Sequence, residues 1–84
     1  MNDCEERVFD FVKSYLLKID PTLNLHELNI NTDLAAFGIE SIAIVSLIAE
    51  IEEELKINIS LSSLEKFNYM ISVKSICGSR ENKL

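Results

Sequence analysis

An all-α fold is predicted for this chain of 84 residues: a small four-helix bundle, three main helices plus a short third one, with a long ordered first loop. Three observations predict it. Apolar residues recur at helical spacing in two long stretches, from Val8 to Ile19 and from Ile44 to Leu55. Helix-start signatures, a capping residue followed three positions later by glutamate, occur at Asn2/Glu5, Asp3/Glu6 and Ser62/Glu65. Residues 20–40 lack sustained periodicity, but Leu23, Leu25, Leu28 and Ile30 punctuate them.

The bounds are consistent with one domain over 1–84. Such a chain can bury one modest core but not an enclosed cleft with a second lobe. An apolar fraction of 48% argues against disorder. No apolar run approaches the ~18 residues of a membrane span. The start, Met1-Asn2-Asp3-Cys4-Glu5-Glu6, lacks the regions of a signal peptide, so a cytoplasmic location is expected. Eight Lys and Arg against 14 Asp and Glu leave a net charge of -6, which repels phosphate backbones and anionic lipid. Partners with basic surfaces are expected, and neither nucleic acid nor membrane. Cys4 and Cys77 sit near opposite ends without metal or thiol-redox spacing, and are read as reduced structural thiols, the alternative being an adventitious bridge if the termini of the bundle meet; neither reading carries an assigned role.

The first helix is expected over about 3–19, with Val8, Phe9, Val12, Tyr15, Leu16 and Ile19 inward. Pro21 disfavours helical geometry at Asp20 and ends it. The leucines of the loop 20–40 are expected to plug the open side of the core. Thr32 is expected to cap a short turn through Phe37, with Leu34 and Phe37 inward and Gly38 terminating it. The second helix, about 41–55, buries Ile44, Leu47, Ile48, Ile51 and Leu55 and ends in the acids Glu50, Glu52, Glu53 and Glu54. Those acids are either a solvated face or a docking surface, since negative charge near a helix C-terminus does not favour stability. Ile57 and Ile59 alternate with polar residues in a stretch too short to assign as a strand. A third, short helix is expected over about 63–67, broken by Asn68. Ser72 caps a fourth over about 73–80, with Val73, Ile76 and Cys77 on one side, a last turn weakened by Gly78, and a fraying tail from Arg80 to Leu84.

The second helix carries more apolar surface than one core face needs. Ile42, Val45 and Ala49 form a second row beside the first, running down from Ser41, and the turn Gly38-Ile39-Glu40 leads into that serine. A nucleophilic Ser41 would need a base and an orienting group, yet His26 is the only histidine and stands in the long loop. No calcium-loop spacing or phosphate-cradling glycine loop is present either. These residues are not expected to make an enzyme.

Gly38-Ile39-Glu40-Ser41-Ile42 resembles the attachment motif of acyl carrier proteins and of related peptidyl and aminoacyl carriers, usually Gly-x-Asp-Ser-Leu. The run from Ser41 to Leu55 continues in the pattern of that family's second helix, and the element order is similar over essentially the whole chain. The resemblance implies that Ser41 accepts a 4'-phosphopantetheine arm, transferred from coenzyme A by a phosphopantetheinyl transferase, whose thiol carries acyl or aminoacyl groups as thioesters. Gly38 then lets the loop turn tightly, and a phosphodiester at a helix N-terminus meets free N–H groups and the positive end of the dipole. Ile42, Val45 and Ala49, with Glu52 and Glu53, become partner-docking surface for loading enzymes and for downstream synthases or transferases. The apolar row could equally be ordinary exposed surface or packing under the first loop.

Two departures refine the expectation. Glu40 replaces the family's aspartate, keeping the charge but capping less well. Fatty-acid carriers of this kind place acids two and five residues after the serine, where this chain has Ala43 and Ser46, and weaker steering toward basic patches follows. The expectation is a discrete, monomeric carrier of a polyketide, nonribosomal-peptide or aminoacyl pathway. The alternatives are a fatty-acid-synthesis carrier and an unmodified helical interaction module; a Ser41/His26 hydrolase is disfavoured.

Overall fold

The computed structural model describes residues 2–37, 39–60 and 62–81. Helix α1 (Asp3–Ile19) starts where the sequence places it. The Asn2 side chain accepts from the Glu5 N–H at 2.8 Å, and the Glu5 carboxylate accepts from the Asn2 N–H at 3.0 Å, closing a capping box. Its buried stripe is Cys4, Val8, Val12 and Leu16. Phe9 and Tyr15 pack at the margin, but Ile19, expected inward, is 55% exposed. Ile19 lies one turn past Leu16, the last buried residue of α1, and walls an open cleft instead of filling the interior. Asp20 is already extended, as the following proline requires.

The long loop is ordered by two short 3-10 turns and by hydrogen bonds to residues 71–74. The turns are Leu25–Glu27 and Leu34–Phe37. Leu34 donates its N–H to the Ile71 carbonyl at 2.8 Å, and Lys74 donates to the Ile30 carbonyl at 2.9 Å. Leu28 and Leu34 are buried, while Leu23, Leu25, Ile30 and Phe37 pack around them, so the loop does plug the core. The residue serving the second turn is Asp33, whose carboxylate accepts from the Ala35 N–H at 3.0 Å. Thr32, expected in that role, instead accepts from the Asn29 N–H at 2.9 Å, because its hydroxyl faces the preceding turn.

Helix α2 (Ser41–Leu55) buries Leu47 and Ile51, with Ile48 and Leu55 packed against the core. Lys56 follows in the left-handed conformation at φ 56°, and Ile57 donates back to the Glu52 carbonyl at 3.1 Å, a helix stop built without glycine. The chain then forms strand β1 (Asn58–Ile59), antiparallel to β2 (Arg80–Glu81), with Asn58 opposite Glu81 and Ile59 opposite Arg80. This ribbon corrects two expectations. The stretch around Ile59 is a strand whose partner lies far along the chain, and the fourth helix, α3 (Val73–Gly78), stops short of residue 80 because Arg80 and Glu81 pair with β1. The expected fraying at Asn82, Lys83 and Leu84 lies outside the described residues.

The short third helix is a 3-10 turn, Ser63–Phe67, ended by Asn68 at φ 54°. Ser62 is itself helical and makes no cap with Glu65; the Ser60 hydroxyl accepts from the Ser63 N–H at 3.3 Å instead. Helix α3 is capped as expected, with the Ser72 hydroxyl accepting from the Ser75 N–H at 3.1 Å and the Ser75 hydroxyl accepting from the Ser72 N–H at 2.8 Å. Gly78 has a packing reason beyond helix weakening: a Cβ there would stand 2.6 Å from Cζ of Phe67. Glycine admits the ring against α3.

Candidate functional site

The site is the start of α2. Glu40 is extended at φ -68° and ψ 154°, and its side chain makes no capping hydrogen bond. The first bond of the helix runs from the Ile44 N–H to the Glu40 carbonyl at 3.0 Å. The N–H groups of the first turn therefore have no intrahelical acceptor, and there a helix offers partial positive charge. Ser41, the first helical residue, is exposed there. A glutamate is one methylene too long to fold back as an ordinary cap, which is why this terminus stays open. Gly38, the expected turn residue, lies outside the described residues.

Beside the serine the second apolar row is real surface. Ile42 is 79% and Val45 68% exposed, and Ala49 is exposed too. Their spacing of three and four puts them on one stripe of α2, one turn apart, with Ser41 at its head. The two acids expected beside them differ from one another. Glu53 is exposed, whereas Glu52 is half-buried and its carboxylate accepts from the Ile59 N–H at 2.9 Å. One oxygen of Glu52 thus ties α2 to β1, a structural task that the charge run did not disclose.

A cleft of about 440 Å³ opens on the other flank of Ser41, walled by Tyr15, Ile19, Leu23, Phe37, Ile39 and Ala43. The Tyr15 hydroxyl donates to the Ala43 carbonyl at 3.4 Å, bridging α1 to the first turn of α2. Sequence spacing assigned Ile19 to the core and Ile39 to the motif, so it did not reveal that both line one depression. The available signal was an apolar residue at each end of the polar loop. At the cleft's rim the Thr22 hydroxyl and N–H both donate to Asp20, at 2.6 and 3.0 Å, and hold its carboxyl below the usual carboxylate range.

The arrangement suits a covalently tethered anion. An exposed hydroxyl stands at an uncapped helix N-terminus, so a phosphate ester on it would find backbone donors without displacing any side chain. Nucleophilic turnover has less support. His26 is exposed on the loop turn Leu25–Glu27, where its backbone N–H donates to the Asn24 side chain. Among the described residues no group of three His, Cys, Asp or Glu side chains could hold a metal ion, and no helix is long and apolar enough to cross a membrane. Comparison with curated proteins and with solved structures found no match. A family model does match, described as the phosphopantetheine attachment site, over residues 12–76, which takes in α1 from its middle, the whole of α2 and most of α3. With most of the chain inside that match, and with the helical architecture that the resemblance implied, the chain belongs to the phosphopantetheine-attachment family of acyl and peptidyl carrier domains, which hold 4'-phosphopantetheine covalently.

Proposed function

We propose that Ser41 is the residue to which the arm is joined, and that the protein passes acyl or aminoacyl intermediates between the enzymes of a specialised pathway. The observation that carries this reading is the pairing of an exposed Ser41 at the open N-terminus of α2 with the exposed stripe Ile42, Val45 and Ala49. When bound, the arm supplies a thiol that holds the cargo as a thioester. The chain's own part is positional: backbone N–H groups of the first turn of α2 would hold the phosphate, and Glu40 keeps a negative charge beside the serine without occupying those donors.

Partner choice follows from the outward face of α2. Ala43, half-buried at the cleft, and Ser46, exposed, two and five residues after Ser41, carry no charge, and Val45 is exposed on the neighbouring row. Docking there rests on apolar contact more than on steering, which favours polyketide, nonribosomal-peptide or aminoacyl enzymes over strongly basic fatty-acid enzymes. Glu53, and the free oxygen of Glu52, supply charge further down the helix. In this reading the protein is a cytoplasmic monomer, a substrate of its partners and not itself a catalyst.

The test is intact mass after incubation with coenzyme A and a broad-specificity phosphopantetheinyl transferase, with Ser41→Ala alongside. The native chain is expected to gain one phosphopantetheine and the variant none, at unchanged helical circular dichroism. Gain by both would move the attachment point elsewhere. A folded native chain that stays unmodified even with its pathway's own transferase would be an interaction module. Val45→Asp is then expected to load normally yet transfer cargo poorly, and if it unfolds the domain the docking assignment fails.

A further inference from the structure

The two cysteines, remote in sequence, meet in space. Cys4 lies in the first turn of α1 and Cys77 is the penultimate residue of α3, and both are buried, at 7% and 9% exposure. Their sulfurs are 2.6 Å apart, much closer than two unlinked sulfurs ordinarily sit and within about 0.6 Å of a bonded pair. Each is anchored on a helix, and α1 packs directly on α3, so closing the remaining gap needs only a small adjustment of two side chains.

We propose that Cys4 and Cys77 are an oxidisable pair that forms a disulfide clasp between α1 and α3, tying the two ends of the fold together under a hydroperoxide such as hydrogen peroxide. The chemistry balances in two steps. The Cys4 sulfur attacks the peroxide, the O–O bond breaks, and Cys4 sulfenic acid and one water result. The Cys77 sulfur then attacks that sulfenic sulfur, its S–H proton leaves with the displaced hydroxide as a second water, and the S–S bond forms. The two thiols together lose two electrons, which reduce the peroxide. Burial, and after it the neighbouring Cys4, pushes the Cys77 thiol up, and the balance is the same with the two sulfurs exchanged. A small oxidant suits the slight exposure that both residues retain.

The clasp is remote from Ser41. Tyr15, which touches the first turn of α2, stands 11 residues along α1 from Cys4, roughly 16 Å away. Closing nearly the whole chain into one loop constrains the unfolded ensemble strongly. The oxidised protein is therefore expected to accept the arm as before but to melt higher.

The experiment treats the full chain with a small excess of hydrogen peroxide and reads intact mass, free thiols after denaturation and thermal melting. The expected result is loss of two hydrogen atoms, no free thiol, a monomeric product, and a melting temperature raised on the order of 10 °C that returns on reduction. Oxygen added to either sulfur without a cross-link, a link between two copies, or a cross-linked chain that melts no higher would each overturn the clasp. Cys4→Ala and Cys77→Ala, each folded by circular dichroism, should lose the peroxide-induced rise. These readouts use the chain without its arm, so they stand or fall separately from the assignment of Ser41.

Discussion

Helices α1 and α3 begin in one way and α2 in another. At Asn2 and at Ser72 the side chain accepts from the N–H three residues on, and the cap's own N–H donates to the side chain of that residue. At Glu40 no such bond exists, although a charged side chain stands in the right place. The difference follows from need. Six-residue α3 is too short to persist without help, and its cap is fully buried, so an unpaired donor there would be costly. The 15 residues of α2 are held by Leu47 and Ile51, both with no exposed surface, and its start can be left open for a ligand.

This contrast can be tested from its strongest consequence downward. Leu47→Ala should cost about 2–5 kcal/mol in chemical denaturation, because it removes the anchor that substitutes for a cap; a loss below about 1 kcal/mol would mean that α2 is held by something else. Ser72→Ala should cost about 1–2 kcal/mol, since the buried Ser75 N–H loses its acceptor, while mass-monitored loading of Ser41 stays normal. Glu40→Asp should stabilise by roughly 0.5–1 kcal/mol, as a shorter acid reaches the first-turn donors. An unchanged melting curve for that variant would show that side-chain length is not what keeps the terminus open.

The smallest effect is a slope with pH at the buried end of α3. The folded state holds the Cys77 thiol protonated, so its pKa is raised above the unfolded value. That contribution is complete below the ordinary thiol range near ~8.5 and is lost as pH rises above it, because the unfolded chain ionises first. Urea midpoints of the reduced protein should therefore fall on the alkaline side, and Cys77→Ala should flatten the decline.

Much of the fold was legible. The extents of α1 and α2, the loop leucines, the break at Asn68 and the Ser72 cap all rest on local rules: spacing of apolar residues, reach of capping side chains and the sterics of proline. The misses share a cause. Ser62 sits at capping distance from Glu65, but its own backbone is helical and another serine, Ser60, takes the bond. Ile59 and Arg80 pair across a separation that no short window spans. Ile19 keeps the period of the core stripe beyond the point where the core ends. At the site, Ser41 and the outward row were readable because they share one helix, whereas the cleft joins residues from α1, the loop and α2.

By itself the sequence determined the extents of α1 and α2, which face of α2 is surplus to the core, and that a serine heads that face, since each depends on neighbours within a few turns. Tertiary structure alone decided that Glu52 is spent on β1, that Gly78 makes room for Phe67, that Ile19 and Ile39 share a cleft, and that Cys4 reaches Cys77. The physical reason is the same in each case: these contacts join segments distant along the chain, and only the packed core fixes where such segments meet.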